Sequence, residues 1–288
     1  MTVLAALLLP ALSGCLYHTR KLQVPKAPAI VLSAKADDLV SRVNKQFASI
    51  QTLNATVEFQ AQVGGTKKGA VTDYTSFRGY ILMRKPGDLR VLGLVPVLHT
   101  RAFDLASKGD AFKLLIPSKS KAITGSSPAT KKSKNALENL RPNLFFDSML
   151  IKSISPDEQV YVTGESRIYT DAARKQLLEE PVYDLAIVRR KEGGNELELV
   201  RVIRFGRADL TPFEQDIYDK DGNIETQTIY GSYQSFGDAR FPGVVTIKRP
   251  MEEYQITITI EKLTLNQSLT DDQFELKIPE GIQVQKLD

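Results

Sequence analysis

The sequence predicts a mainly β protein with a few helices, in which one strongly curved antiparallel sheet has its concave, apolar side plugged by helices. Three observations point to it. Apolar and polar residues alternate along most of the chain, short turn-forming clusters join the alternating runs, and helical periodicity is confined to a few stretches.

The first fifteen residues, MTVLAALLLPALSGC, place the apolar run Val3 to Leu12 ahead of Ser13, Gly14 and Cys15, the one cysteine among 288 residues. Such a run is too short to span a bilayer as a helix but suits the core of a secretion signal. The pattern resembles a bacterial lipoprotein signal, cut before the cysteine, although Met1 and Thr2 lack the usual positive charge. That resemblance implies a signal peptide over 1–14 and an acylated Cys15, and two acyl chains there would hold a membrane firmly. With Leu16 where, in enterobacterial lipoproteins, an aspartate would favour the inner membrane, the resemblance implies the periplasmic face of the outer membrane. Residues 15–36, with Pro25, Pro28 and no periodic pattern, read as a flexible tether, and 37–288 as one domain.

Asp37 and Asp38 precede Leu39, Val43, Phe47 and Ile50 at helical spacing, with the acids placed to complement a helix dipole. From Leu53 the period becomes two: Leu53, Ala55, Val57, Phe59, Ala61 and Val63 alternate with polar residues, as in a half-buried strand. After Gly64-Gly65, Phe77 to Arg84 forms the next strand, ended by Pro86-Gly87-Asp88. Strands follow at 89–92, 100–106 and 111–116, then at 182–189, 196–205, 213–218 and 224–233, and Tyr254, Ile256, Ile258 and Ile260 mark the last clear one. A sheet with one apolar face must cover it. The first helix is one cover. A segment between Ser133 and Ile154, carrying Leu137, Leu140, Leu144, Phe145, Met149 and Leu150 around Arg141-Pro142, is a second. A short helix from Asp171 to Leu178, stopped by Pro181, is the third expectation.

Charge and composition exclude several functions. A net charge of +4, from 38 basic and 34 acidic residues, is no nucleic-acid signature. Lys119, Lys121, Lys131, Lys132 and Lys134 concentrate in a Ser/Ala/Thr/Gly/Pro stretch that reads as a solvated loop, with a basic flap toward anionic lipid as the sharper alternative. Two histidines, His18 in the tether and His99 with no recognisable partner, assemble neither a triad nor a metal site. The run Asp219-Lys220-Asp221-Gly222-Asn223 starts like a calcium loop, but its glycine comes too early and Tyr230 stands where the bidentate acid belongs, so it reads as a hairpin turn. No cofactor is expected, and the chain is not expected to be an enzyme.

Four segments in order, RKPGDLRV (84–91), YDKDGNI (218–224), FPGVVTIKRP (241–250) and LNQSLTDDQFELKIPEGIQV (265–284), resemble the LolA/LolB lipoprotein-localisation superfamily. The resemblance covers roughly residues 39–285. It implies an incomplete barrel whose open side helices plug, leaving an apolar cavity for acyl chains. In the receptor of that superfamily a loop projects an exposed leucine that takes part in transfer; the segment here that corresponds contains Leu94, Val95, Val97 and Leu98, with Leu94 and Leu98 as the matching candidates. The reading set ahead of it is that this stretch is the end of a buried strand, kinked at Pro96.

The expected function is a lipid-anchored periplasmic protein that binds acyl chains or another amphiphile in lipoprotein or lipid trafficking, with a carrier or envelope protein as a possible partner. Candidate cavity residues are Val57, Phe59, Ile81, Met83, Phe103, Leu105, Phe112, Leu114, Ile256 and Ile258, and Phe145, Phe146 and Met149 belong to the plug. The alternative is a non-catalytic envelope scaffold with a filled core; a hydrolase is a distant third.

Overall fold

The computed structural model describes residues 20–28, 30–98, 100–126, 136–171, 175–191 and 193–287. The stretch expected to be a signal peptide, Cys15, His18, His99, Lys131, Lys132 and Lys134 lie outside them.

The chain forms α1 (Ala36–Ser49), β1 (Thr52–Gly65), the short β2 (Ala70–Asp73), and a meander of β3 (Phe77–Arg84), β4 (Asp88–Leu94), β5 (Arg101–Lys108), β6 (Ala111–Ile116) and β7 (Lys121–Ser126). After α2 (Pro142–Met149) a second meander follows: β8 (Gln159–Asp171), β9 (Gln176–Arg190), β10 (Leu197–Gly206), β11 (Pro212–Tyr218) and β12 (Ile224–Tyr230). The small β13 (Tyr233–Phe236) and β14 (Ala239–Pro242) precede β15 (Val244–Arg249), β16 (Tyr254–Leu265) and β17 (Gln283–Leu287).

Pairing of β1 with β16 joins the two meanders into one sheet, ordered β17-β7-β6-β5-β4-β3-β1-β16-β15-β12-β11-β10-β9-β8. The sheet is curved and does not close, because its ends β17 and β8 do not pair with each other. β17 runs parallel to β7, so the sheet is mixed rather than wholly antiparallel. The third expected helix is corrected: Asp171 ends β8, and Gln176 to Leu178 begin β9, paired in register from Gln176↔Asp171 to Leu178↔Tyr169. Cross-strand pairing overrides the local pattern there.

Alternation decides which side chains turn inward. Leu53, Ala55, Val57 and Phe59 of β1 meet Ile81 and Met83 of β3 and Ile258 and Ile260 of β16 in the main core, which α2 caps with Leu144, Phe145, Phe146 and Met149. Helix α1 buries Leu39 and Val43 elsewhere, against Leu185, Ile187, Ile203 and Phe205 of β9 and β10. The two helices therefore cover different halves of one concave surface. The segment read as a tether is docked over part of its length: Lys26 bridges to Leu178, and the Leu32 amide donates to the Arg207 carbonyl at 2.7 Å.

The C-terminal segment straps the convex face. Leu276 packs on Ala106, Leu115 and Ala122, the outward residues of β5, β6 and β7, while Asp271 meets Arg84 at 2.6 Å and Arg90 donates to the Glu275 carbonyl. The strap leads to β17, which covers an otherwise open sheet edge. Leu276→Ala is expected to lower unfolding free energy by about 2 kcal/mol, toward the small end for a buried leucine because this cluster is a satellite of the core. Denaturant titration checks it, and a change below about 0.5 kcal/mol, the range of an ordinary surface substitution, would contradict it.

Candidate functional site: an apolar cavity under helix α2

At one end of β1, β5 and β16 the concave face is not filled, and a cavity of about 450 Å³ remains. This lies within the range of roughly 300–1,000 Å³ for small-molecule sites. Phe59, Phe77 and Phe103 form its aromatic wall, with centroids 5.5 Å apart for Phe59–Phe77, 6.1 Å for Phe59–Phe103 and 6.2 Å for the edge-on Phe77–Phe103 pair.

Two glycines explain how three large rings can line a space without filling it. Gly79 and Gly93 face each other across β3 and β4. A Cβ on Gly79 would come within 2.4 Å of the Phe59 ring, and one on Gly93 within 2.5 Å of Phe103. The rings therefore lie down on bare backbone instead of standing into the cavity.

Small side chains keep the rest open. Ala61 and Val63 of β1 and Ala102 of β5 line it, with Ile256 opposite and Leu140 and Phe145 above. Its polar edge consists of Tyr74, Lys119, Tyr254 and Gln255. Burial raises the pKa of the Tyr254 hydroxyl.

Of the expected cavity residues, Phe59, Phe103 and Ile256 line the space. Val57, Ile81, Met83, Leu105, Phe112, Leu114 and Ile258 do not; each is at most 2% exposed and packs in the filled core below. The periodicity that put them on the inner face was sound, but it carries no signal for where along a strand the packing stops. Of the plug residues, Phe145 faces the cavity, whereas Phe146 and Met149 pack in the core. Ala61, Ala102 and Lys119 went unrecognised, the alanines because small size is a cavity signal only once the neighbours are known.

Helix α2 is held by different contacts at its two ends. Toward its C-terminus, Gln215 Nε2 donates to the Asp147 carbonyl at 2.8 Å and Thr228 Oγ1 to Ser148 Oγ at 3.0 Å. Arg201 then donates to the carbonyls of Lys152 and Ser153, each at 2.8 Å. On the N-terminal side, Glu138 meets Lys119 Nζ at 3.0 Å and Lys121 Nζ at 2.8 Å. These two lysines, expected in a solvated loop, instead sit in a 3-10 turn at Pro117–Lys119 and in β7.

The segment proposed to correspond to the receptor loop is the β4–β5 hairpin. Leu94 and Val95 are half-buried, while Val97 and Leu98 are 90% and 73% exposed at its tip. Val97 has φ of 67°, and the Leu98 amide donates to the Pro96 carbonyl at 2.8 Å, closing a γ-turn. A β-branched residue rarely occupies that region, so the turn holds an apolar residue outward against a local strain. Among the described residues no group of three or more His, Cys, Asp or Glu is placed to hold a metal ion, and no helix is long and apolar enough to cross a membrane.

The geometry defines a class: an open half-barrel that keeps an apolar hollow beneath a helix. In fold the chain is similar to a LolA superfamily protein from Nitrosomonas europaea, with a TM-score of 0.50 at 12% sequence identity over 85% of this chain and 99% of that one. A DUF1329 family protein from Desulfovibrio piger aligns with a TM-score of 0.48 at 17% identity over 83% of this chain and 95% of that one. The half-barrel implied by the family resemblance is thus the fold observed. No protein-family model matches the chain, and no curated protein matches it in sequence.

Proposed function

We propose that this protein binds an acyl chain of a lipoprotein or another amphiphile in the cavity under α2 and passes it on without covalent chemistry. On this reading it is held at the periplasmic face of the outer membrane by acylated Cys15. The observation that carries the proposal is the apolar cavity itself, walled by Phe59, Phe77 and Phe103. Burying about ten methylenes there would contribute about 8 kcal/mol before ordering costs, the scale of a micromolar complex. The fold shared with a protein named for the LolA superfamily supports the same reading. Organic extraction of the purified protein followed by mass spectrometry tests it: a stoichiometric amphiphile is expected, and a protein that carries none and takes up none contradicts it.

Val97 and Leu98 supply the contact with the accepting surface, since exposed apolar tips favour a bilayer or an apolar partner. Replacing both by Asp is expected to slow acyl transfer to vesicles at least fivefold while leaving uptake and thermal stability unchanged. Unchanged transfer would remove the hairpin from the account. The rival reading, an envelope scaffold, draws on the extensive filled core and on the outermost strand β8, where Tyr161 and Ile168 are exposed.

A further inference from the structure

Among the described residues that line the cavity, Lys119 is the one charged side chain, in a wall otherwise built from aromatic, aliphatic and uncharged polar groups. A cation beside an acyl site has a definite consequence: it leaves the chain-binding term alone and adds a term that depends on the head of the ligand. Lys119 is held at 3.0 Å by Glu138 Oε1, while Lys121 holds the other carboxylate oxygen at 2.8 Å. Two ammonium groups thus share one carboxylate. Glu138 sits in the 3-10 turn Ala136–Asn139, directly before Leu140, which forms part of the cavity roof.

We propose that the cavity selects an amphiphile with an anionic head, a carboxylate or a phosphate, and that this head takes Lys119 from Glu138 when the chain enters. The inference rests on the reading of the cavity as an acyl-chain site and adds the chemistry of the head. Lys121 keeps its hold on Glu138, so the turn stays tethered while its grip next to the cavity is released. The roof residue Leu140 follows that turn, whereas the far end of α2 remains fixed by Gln215, Thr228 and Arg201. Entry of a charged head is thereby coupled to loosening of the ion-pair hold on the N-terminal side of the roof.

The test is equilibrium binding of three probes with the same C16 chain: the fatty acid, the fatty alcohol and the alkyl phosphate. Measurement at pH 8 ionises both acids in water. The wild-type protein is expected to prefer at least one of the anions over the alcohol by about tenfold, and the comparison of the two anions tells carboxylate from phosphate. Lys119→Gln is expected to reduce that preference below twofold, and Glu138→Gln, which removes the competing carboxylate, to strengthen anion binding several-fold. Equal affinity for all three probes in the wild type would overturn the inference and leave the acyl site standing, as would a preference that survives Lys119→Gln. Failure of every probe to bind would overturn both.

Discussion

Arg204→Gln is expected to lower the unfolding free energy at pH 7 by about 2–4 kcal/mol, because it leaves three carboxylates facing one another on the convex side of the sheet. Arg204 of β10 stands directly across from Asp184 of β9 and Glu214 of β11 in the strand register. Its guanidinium meets Asp184 at 3.1 Å and Glu214 and Asp216 at 2.6 Å each, and Gln227 Nε2 donates to the Asp216 carboxylate at 3.1 Å. The guanidinium is a quarter exposed, so the figure sits below that for a fully enclosed ion pair.

The pH dependence has a defined sign. Burial raises the pKa of Asp184 and of Glu214, and Arg204 opposes that rise in both. A carboxyl whose folded pKa is raised adds stability that is fully present below its unfolded pKa and is lost as pH rises through the folded one. Removing Arg204 raises the folded values further and widens that window. The deficit of the variant is therefore expected to shrink between pH 7 and about pH 4.5, where these acids take up protons. Denaturant titrations across that range check it; a deficit that is constant or grows on acidification would contradict the assignment.

The second large effect concerns binding. Ala61→Phe is expected to weaken acyl-chain uptake by more than tenfold with little loss of stability. Ala61 is on the inner side of β1 and lines the cavity, opposite Ile256 in the β16 register. A phenyl ring introduced there enters existing space, so it avoids much of the strain that the same change causes in a tightly filled core. It occupies volume that the ligand needs. Gln60→Phe is the control, since Gln60 is exposed on the opposite face of the same strand. Uptake should be lost in the first variant and kept in the second, and equal behaviour of the two would place the acyl chain elsewhere.

Much of the architecture was legible in the chain. The two-residue period from Leu53 to Val63 gave β1 its inward residues, and Asp37, Asp38, Leu39 and Val43 marked α1. Elements defined by their partners were harder to read. β8 is the outermost strand, and its exposed Tyr161 and Ile168 blur the alternation that would have announced it; β17 buries Leu287 but exposes Val284 and exists because the strap delivers it to β7. Asp171 to Leu178 carried a helical pattern, yet strand pairing decided the conformation of Asp171 and of Gln176 to Leu178.

The site was legible in part for a related reason. Inward orientation follows from period, as for Phe59, Phe103 and Ile256 on the concave face, but whether an inward residue meets a neighbour or a void depends on side chains distant in sequence. Gly79 and Gly93 illustrate this: each is an ordinary strand glycine until the rings of Phe59 and Phe103 are seen resting on it. Lys119 belonged, by sequence, to a polar run; its place beside the cavity depends on the turn between β6 and β7 and on Glu138 some twenty residues further on.

Photolabelling addresses the central claim most directly. A palmitic acid carrying a diazirine near its methyl end would be bound to the intact protein, irradiated and located by peptide mass spectrometry. The account predicts that label concentrates on the peptides containing Phe59, Phe103, Phe145 and Ile256, and that Ala61→Phe abolishes it. Label confined to outer surfaces such as β8, or unaffected by Ala61→Phe, would contradict it.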